Sequence, residues 1–345
     1  MAREILIIHT WGLGDMILLT PVLNVIAQTH PDVSFSYLIF PKIAAEPVIK
    51  RKDTAHLWYA QRGIFSLLKA IVFLRRTKFY STMLSSGVKP WKAWLFTCLL
   101  RAERKILEIR SLRYLGIEQQ IVFDASLSRT HSNYLMLKSV LELPDWTILI
   151  ADQRYYGLAP SFPLAEDNHR FAADFLSRNQ LKHVTLTIIH PGCMAQNKYR
   201  RWKKEYFAQL IELIIARLGH KILIVSGPDE LDVAEYLCKQ SMLPLLYEKS
   251  LANVAAILSQ ANFFINTDSG IGHLASCFDI PMLTIFGPGD ERQTAPFSSQ
   301  SKIIRKSIAC APCVAKKREP CLVECLHKLT PEEVFSRFCE LVNQA

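Results

Sequence analysis

At 345 residues, 50% hydrophobic and 21% charged, the chain is too apolar to remain disordered and long for one core, so two domains of about 150 residues each are expected. The formal net charge of +10, with basic residues dense between Lys42 and Arg113, suits an acidic partner. The sequence carries no zinc-finger spacing, RNP-like strand or helix-turn-helix pattern, which argues against nucleic acid as that partner. The first apolar run is short, follows Arg3-Glu4 and has no small-residue cleavage site behind it. No secretory leader is therefore expected, and no uncharged stretch approaches the ~20 residues that span a bilayer. Nine cysteines in such a chain point to a reducing, cytoplasmic setting.

The run Glu4 to Ile8 reads as a strand, and the turn in HTWGLGDMILLTP, residues 9–21, opens a helix. Strand, glycine turn and helix start together make the entry of a nucleotide-binding βα unit, where backbone N–H groups and the helix dipole await an anion. Asp15 stands at that place and would repel one. A dinucleotide site is disfavoured further, because Ile17 replaces the third glycine of G-x-G-x-x-G and the next strand, 33–40, leads into Pro41-Lys42 instead of an acidic residue for a ribose. Asp15 therefore either caps the helix or serves chemistry that needs a carboxylate. A strand is expected again near 80–85. Two stretches, GIFSLLKAIVFLRR (63–76) and KPWKAWLFTCLLRAERK (89–105), mix aromatic, aliphatic and basic side chains as interfacial helices do. Domain helices with snorkelling lysines would look similar.

After a proline-containing region, 152–170, the alternation restarts. Strands are expected at 183–190, 221–227, 244–246, 263–267 and 281–287, with helices from about Lys204 to Leu218, Asp229 to Gln240 and 251–259 between them. Alternating strands and helices imply parallel sheets, and two such series imply an α/β protein of two Rossmann-like halves with the active site in a cleft between them.

In NTDSGIGHLASCF, residues 266–278, small residues at a strand-to-helix turn let the amides of Ser269 to His273 approach a diphosphate. An N-capped helix with a buried histidine is the alternative. Lys198, Arg200 and Arg201 follow a strand of the same half in HPGCMAQNKYRRW, residues 190–202, where cations face the same crevice and would neutralise a leaving diphosphate. In SGPDE, residues 226–230, Glu230 at a helix start accepts from ribose hydroxyls or merely caps. Cys310, Cys313, Cys321 and Cys325 form a metal-like pattern whose inner spacing is shorter than most zinc ribbons. Thr330-Pro331-Glu332-Glu333 reads as a capping box opening a final helix.

In order and spacing, GLGDMILLTPVL, HPG…RRW, SGPDE, DSGIGHLA, FGP and the late cysteines form a set that resembles the bacterial ADP-heptose:lipopolysaccharide heptosyltransferases, inverting glycosyltransferases of the two-Rossmann GT-B architecture. The resemblance spans nearly the whole chain. It implies an N-terminal acceptor-binding domain at residues 1–160, a C-terminal nucleotide-sugar-binding domain at 161–328 and a closing C-terminal helix at 329–345. It implies that Asp15 is the general base, that Ser269, Gly270, Gly272 and His273 hold the diphosphate with Asp268 nearby, and that Glu230 meets the ribose. The family's usual Lys-Arg-Trp-Pro stands here as Arg200-Arg201-Trp202-Lys203, after an unusual MAQNKY segment, so the phosphate-facing cation stays open between Lys198 and Arg200.

Related transferases carry similar cysteine patterns, one branch with structural iron. The resemblance thus implies a structural zinc or iron on Cys310, Cys313, Cys321 and Cys325 and no cofactor in the chemistry. The expected function is heptose transfer from ADP-heptose to an anionic glycolipid of lipopolysaccharide-core type. The expected location is cytoplasmic, in peripheral contact with the inner face of the cell membrane. Two alternatives stand beside it: a protein hydroxyl as acceptor with the same donor, or a non-catalytic nucleotide-sugar or lipid-binding protein on the same fold.

Overall fold

The computed structural model describes residues 3–9, 12–39, 46–60, 64–84, 90–110, 113–153, 157–313 and 323–344. The chain divides into two compact units, Met1–Ser161 and Phe162–Ala345.

The first unit runs β1 (Arg3–His9), α1 (Leu13–Ile17), α2 (Thr20–Thr29), β2 (Val33–Ile39), α3 (Glu46–Ile49), β3 (Thr54–Tyr59) and α4 (Ile64–Leu74). It continues with β4 (Phe79–Leu84), α5 (Pro90–Leu99), β5 (Ala102–Ile109), β6 (Gln119–Val122), α6 (Arg129–Lys138) and α7 (Trp146–Ala151). All strand pairs are parallel, in the order β3-β2-β1-β4-β5-β6. β1 lies at the centre with Ile5, Leu6, Ile7 and Ile8 fully buried, the apolar-on-both-faces pattern of a parallel strand covered by helices. On one face Leu6, Ile8, Leu38, Leu74, Phe79, Leu84 and Leu107 form a common core.

The stretch 89–105 is helical only as far as Leu99. From Ala102 it is strand β5, because Ile106, Leu107 and Ile109 provide a buried run and pairing beside β4 overrides local pattern. The expected strand near 80–85 is β4, one residue earlier at both ends.

The second unit runs α8 (Glu166–Arg178), β7 (Leu186–His190), α9 (Lys204–Leu218), β8 (Lys221–Ser226), α10 (Leu231–Ser241), β9 (Leu245–Tyr247) and α11 (Leu251–Leu258). Then come β10 (Phe263–Thr267), α12 (Gly270–Ala275), β11 (Met282–Ile285), α13 (Glu291–Thr294), β12 (Ser301–Ile304), α14 (Glu324–His327) and α15 (Pro331–Val342). Its sheet is parallel throughout, in the order β12-β11-β10-β7-β8-β9. α9 stops at Gly219, whose φ of 69° is a left-handed cap that glycine adopts without a Cβ penalty. α15 starts with the expected capping box, Thr330 and Glu333 exchanging side-chain and backbone bonds. Val334, Phe338 and Leu341 of this helix enter the same core as Phe207, Ile211 and Ile214 of α9, so the final helix is packed into the second unit.

Counted within its own unit, each sheet reads 3-2-1-4-5-6, the Rossmann order, so the fold is two Rossmann-like α/β units. Ligands of such sheets bind outside the carboxyl ends of the strands where the order reverses. Those points lie between β1 and β4 in the first unit and between β7 and β10 in the second. Among the described residues no helix is long and apolar enough to cross a membrane.

Candidate active site

At the reversal point of the second sheet, β7 is buried throughout and ends in His190. The His190 Nε2–H donates to Glu230 Oε1 at 3.0 Å, and Nδ1 accepts from the Ser269 hydroxyl at 3.2 Å. A carboxylate only accepts, which assigns the tautomer of the neutral ring. Glu230 Oε1 also accepts from the Gly227 N–H at 2.8 Å. Burial alone would raise the Glu230 pKa. The hydrogen bonds from His190 and the Gly227 amide, with the nearby charge of Arg201, outweigh it and hold the carboxyl below its ordinary value. Gly192 makes the arrangement sterically feasible, since a Cβ there would lie 2.4 Å from Glu230 Cβ. Glu230 and Ser269 stand out in the sequence as candidate site residues, but the histidine that joins them does not. The available signal was a histidine closing a buried strand directly before Pro191-Gly192.

β10 is likewise buried and delivers Asp268 and Ser269 to the same end of the sheet. Ser269 is the N-cap residue of α12, yet its side chain does not cap the helix; the hydroxyl is turned to His190. The first-turn amides, beginning at Gly270, are thus left without that acceptor at the positive end of the helix. Gly272 has a packing role: a Cβ there would lie 2.1 Å from Asn266 Nδ2. His273 is buried within α12.

The cationic loop is pinned at its end. Trp202 is buried, its Nε1–H donates to the Leu329 carbonyl at 3.0 Å, and its ring meets Phe207 edge-on at 5.0 Å. Arg201 is a structural latch, donating through Nη2 to the carbonyls of Cys193 and Asp229 at 2.6 Å each. At the end of the 3-10 turn Ala195–Arg200, directly before these anchors, Arg200 forms an ion pair with Asp268, Nη1 to Oδ2 2.9 Å. Burial works against the Arg200 charge, but the Asp268 carboxylate outweighs it and the guanidinium pKa is raised. Lys198 is exposed. Of the three cations, Arg200 is therefore the one the fold holds against the β10–α12 turn.

In the first unit His9 closes β1, fully buried, and its Nε2–H donates to the Gly12 carbonyl at 3.1 Å. Gly12 is the N-cap residue of α1, with no side-chain cap. Asp15 lies inside the first turn, half-buried, so the capping alternative for this carboxylate is not what the structure shows.

Cys310 is exposed, Cys313 donates its thiol to the Cys310 carbonyl at 3.2 Å, and Cys325 is buried in the core that also holds Leu326 and Trp202. Cys321 lies outside the described residues. No group of three or more His, Cys, Asp or Glu among the described residues is placed to hold a metal ion, so the thiols described do not by themselves fit the expected zinc or iron.

Comparison with known proteins gives a consistent result. The family model of glycosyltransferase family 9 (heptosyltransferase) matches residues 104–324. Lipopolysaccharide heptosyltransferase 3 of Escherichia coli is 25% identical over 308 residues, which cover 83% of this chain and 84% of that protein. The crystal structure of the family 9 glycosyl transferase from Veillonella parvula superposes with a TM-score of 0.79 at 18% identity, covering 99% of this chain and 98% of the other. The E. coli heptosyltransferase WaaC with ADP superposes with a TM-score of 0.70 at 18% identity, covering 98% and 100%.

Proposed function

The chain belongs to glycosyltransferase family 9, the heptosyltransferase family, and from that premise we propose that it moves heptose from ADP-heptose to a hydroxyl of a lipopolysaccharide-core acceptor, with inversion and with Asp15 as base. The observation that carries the reading is the second-unit cluster at the β7/β10 reversal: His190 joining Glu230 to Ser269, beside the Arg200–Asp268 pair. It gives a nucleotide diphosphate a cation, uncapped helix amides and a carboxylate for ribose hydroxyls in one place. The ADP in the WaaC structure supports the nucleotide, and the name of the E. coli relative, a lipopolysaccharide heptosyltransferase, supports the acceptor.

In the reaction, Asp15 takes the acceptor hydroxyl proton as that oxygen bonds to the anomeric carbon. The bond from this carbon to the diphosphate oxygen breaks on the opposite face, and its electron pair leaves with ADP. Arg200, Lys198 and the Ser269–His273 amides meet the negative charge that develops. Base and anion site are thus carried by different units, which explains an aspartate at the head of α1. No step of the transfer runs through a metal at the late cysteines. A glycolipid acceptor puts the enzyme at the cytoplasmic face of the membrane.

The test is acceptor-dependent release of ADP, followed by product mass. ADP-heptose is expected to turn over with a lipopolysaccharide-core acceptor, and other nucleotide sugars to be poor donors. Binding of ADP-heptose without turnover on any core acceptor would refute the transferase assignment for this chain, and mass gained on protein instead would redirect the acceptor.

A further inference from the structure

The transfer chemistry leaves α4 and α5 unused, and their surfaces are unlike those of ordinary domain helices. On α4 the inward positions Ile71 and Leu74 are buried, yet the outward positions are apolar too: Phe65 is 79% exposed, Leu68 48%, Val72 63% and Phe73 50%. Residues 65, 68, 69, 72 and 73 fall on one helical stripe. Within this stripe stands exposed Lys69, and at its end stand exposed Arg75 and Arg76. On α5, Trp91 and Leu95, one turn apart, are 54% and 44% exposed. Ala70 and Leu74 of α4 and Trp94, Phe96 and Cys98 of α5 pack on the same core. Both helices therefore cover one face of the first sheet, and their outer surfaces look out on the same side of that unit.

We propose that the outer faces of α4 and α5 form a docking surface for an anionic lipid bilayer. Charge selects this occupant. From Thr54 to Ala102 the chain carries eight lysines and arginines and no aspartate or glutamate. Two copies of such a face would oppose like charges, whereas an anionic leaflet complements it. α4 has 11 residues, about 16 Å of helix, too short to span the ~30 Å hydrocarbon core, so it lies in the interface. Its apolar stripe enters the acyl boundary while Lys69, Arg75 and Arg76 extend to the headgroups, and Trp91 suits the headgroup level. The surface deepens the proposed function by saying how the enzyme reaches a glycolipid, and it rests on that reading only for the choice of membrane.

Flotation of the full chain with phosphatidylcholine vesicles, with and without phosphatidylglycerol, tests it. The wild type is expected to float with the anionic vesicles, to remain behind with the neutral ones and to be released by salt. Phe65→Ser/Val72→Ser is expected to weaken binding about tenfold or more, and Lys69→Gln/Arg75→Gln/Arg76→Gln about 10²-fold, both at unchanged melting temperature because these side chains point outward. Failure of the wild type to bind anionic vesicles, or binding by both variants equal to that of the wild type, overturns the proposal. So does a wild-type dimer in sedimentation that Phe65→Ser/Val72→Ser dissociates without any vesicle binding, since the face would then belong to a second copy. Flotation needs neither donor nor acceptor, so its failure counts against the surface and not against the transfer reaction.

Discussion

The two units share one topology and one starting motif, and they differ in what that motif carries. The first strand of each runs buried to a histidine at the reversal point of a 3-2-1-4-5-6 sheet, His9 in the first unit and His190 in the second. His9 directs its Nε2–H to the backbone of its own turn, at Gly12, and leaves Asp15 in the first helical turn. His190 reaches two other loops, orienting Glu230 and drawing the Ser269 hydroxyl off the helix it would otherwise cap. The same backbone frame therefore presents a carboxylate on one unit and a helix turn without a side-chain cap, beside an arginine, on the other. A Rossmann frame supplies a place for a loop; the side chains of the loop decide the sign of charge it welcomes.

If this division is correct, the largest separable effect belongs to Asp15. Asp15→Asn is expected to lower turnover by about 10²-fold or more, which is about 2.7 kcal/mol of barrier, while ADP affinity and melting temperature stay near wild type. Steady-state kinetics beside calorimetry check it, and near-normal turnover removes the base assignment. Next comes the anion site. Arg200→Gln is expected to weaken ADP binding by about 10- to 100-fold and adenosine binding much less, whereas Lys198→Gln, on an exposed side chain, should cost about fivefold or less. Titration with both ligands reads the contrast, and equal losses for ADP and adenosine would mean that Arg200 supports the fold and not the phosphates.

The smallest effect sharpens the histidine comparison. Glu230→Gln is expected to lower stability by about 1–2 kcal/mol at neutral pH. The folded pKa of Glu230 lies below its ordinary value, so the wild-type advantage is fully present above that ordinary value and is lost as pH falls through the lower folded one. Melting curves of both proteins across this acid range should converge; a constant difference would mean that the ionised Glu230 carboxylate is not what the hydrogen bonds of His190 and Gly227 stabilise.

Several of these features were legible in the chain itself. The βα alternation, the buried runs ILII and LTII, the capping box at Thr330 and the turn at Ser269 are local patterns, and local patterns survive translation into structure. Strand β3 did not stand out, because it is an edge strand with exposed residues, and neither did the switch from helix to strand inside 89–105, because only pairing with β4 makes that segment a strand.

The sequence by itself determined that the chain is a two-part α/β protein with a carboxylate at one βα turn and a small-residue, cation-flanked turn at another. Those are properties of residues near one another along the chain. The chain leaves the phosphate-facing cation open between Lys198 and Arg200; only the tertiary structure sets Arg200 opposite the Asp268 carboxylate, keeps Lys198 exposed and ties Arg201 to the carbonyls of Cys193 and Asp229, because these placements depend on what lies across from each side chain. It likewise decided that Gly272 serves packing against Asn266, and that His190 binds Glu230 and Ser269 into one unit across separations of 40 and 79 residues. Contacts between distant segments leave no periodic trace in a sequence, since they are set by where strands stop and in what order a sheet stacks them.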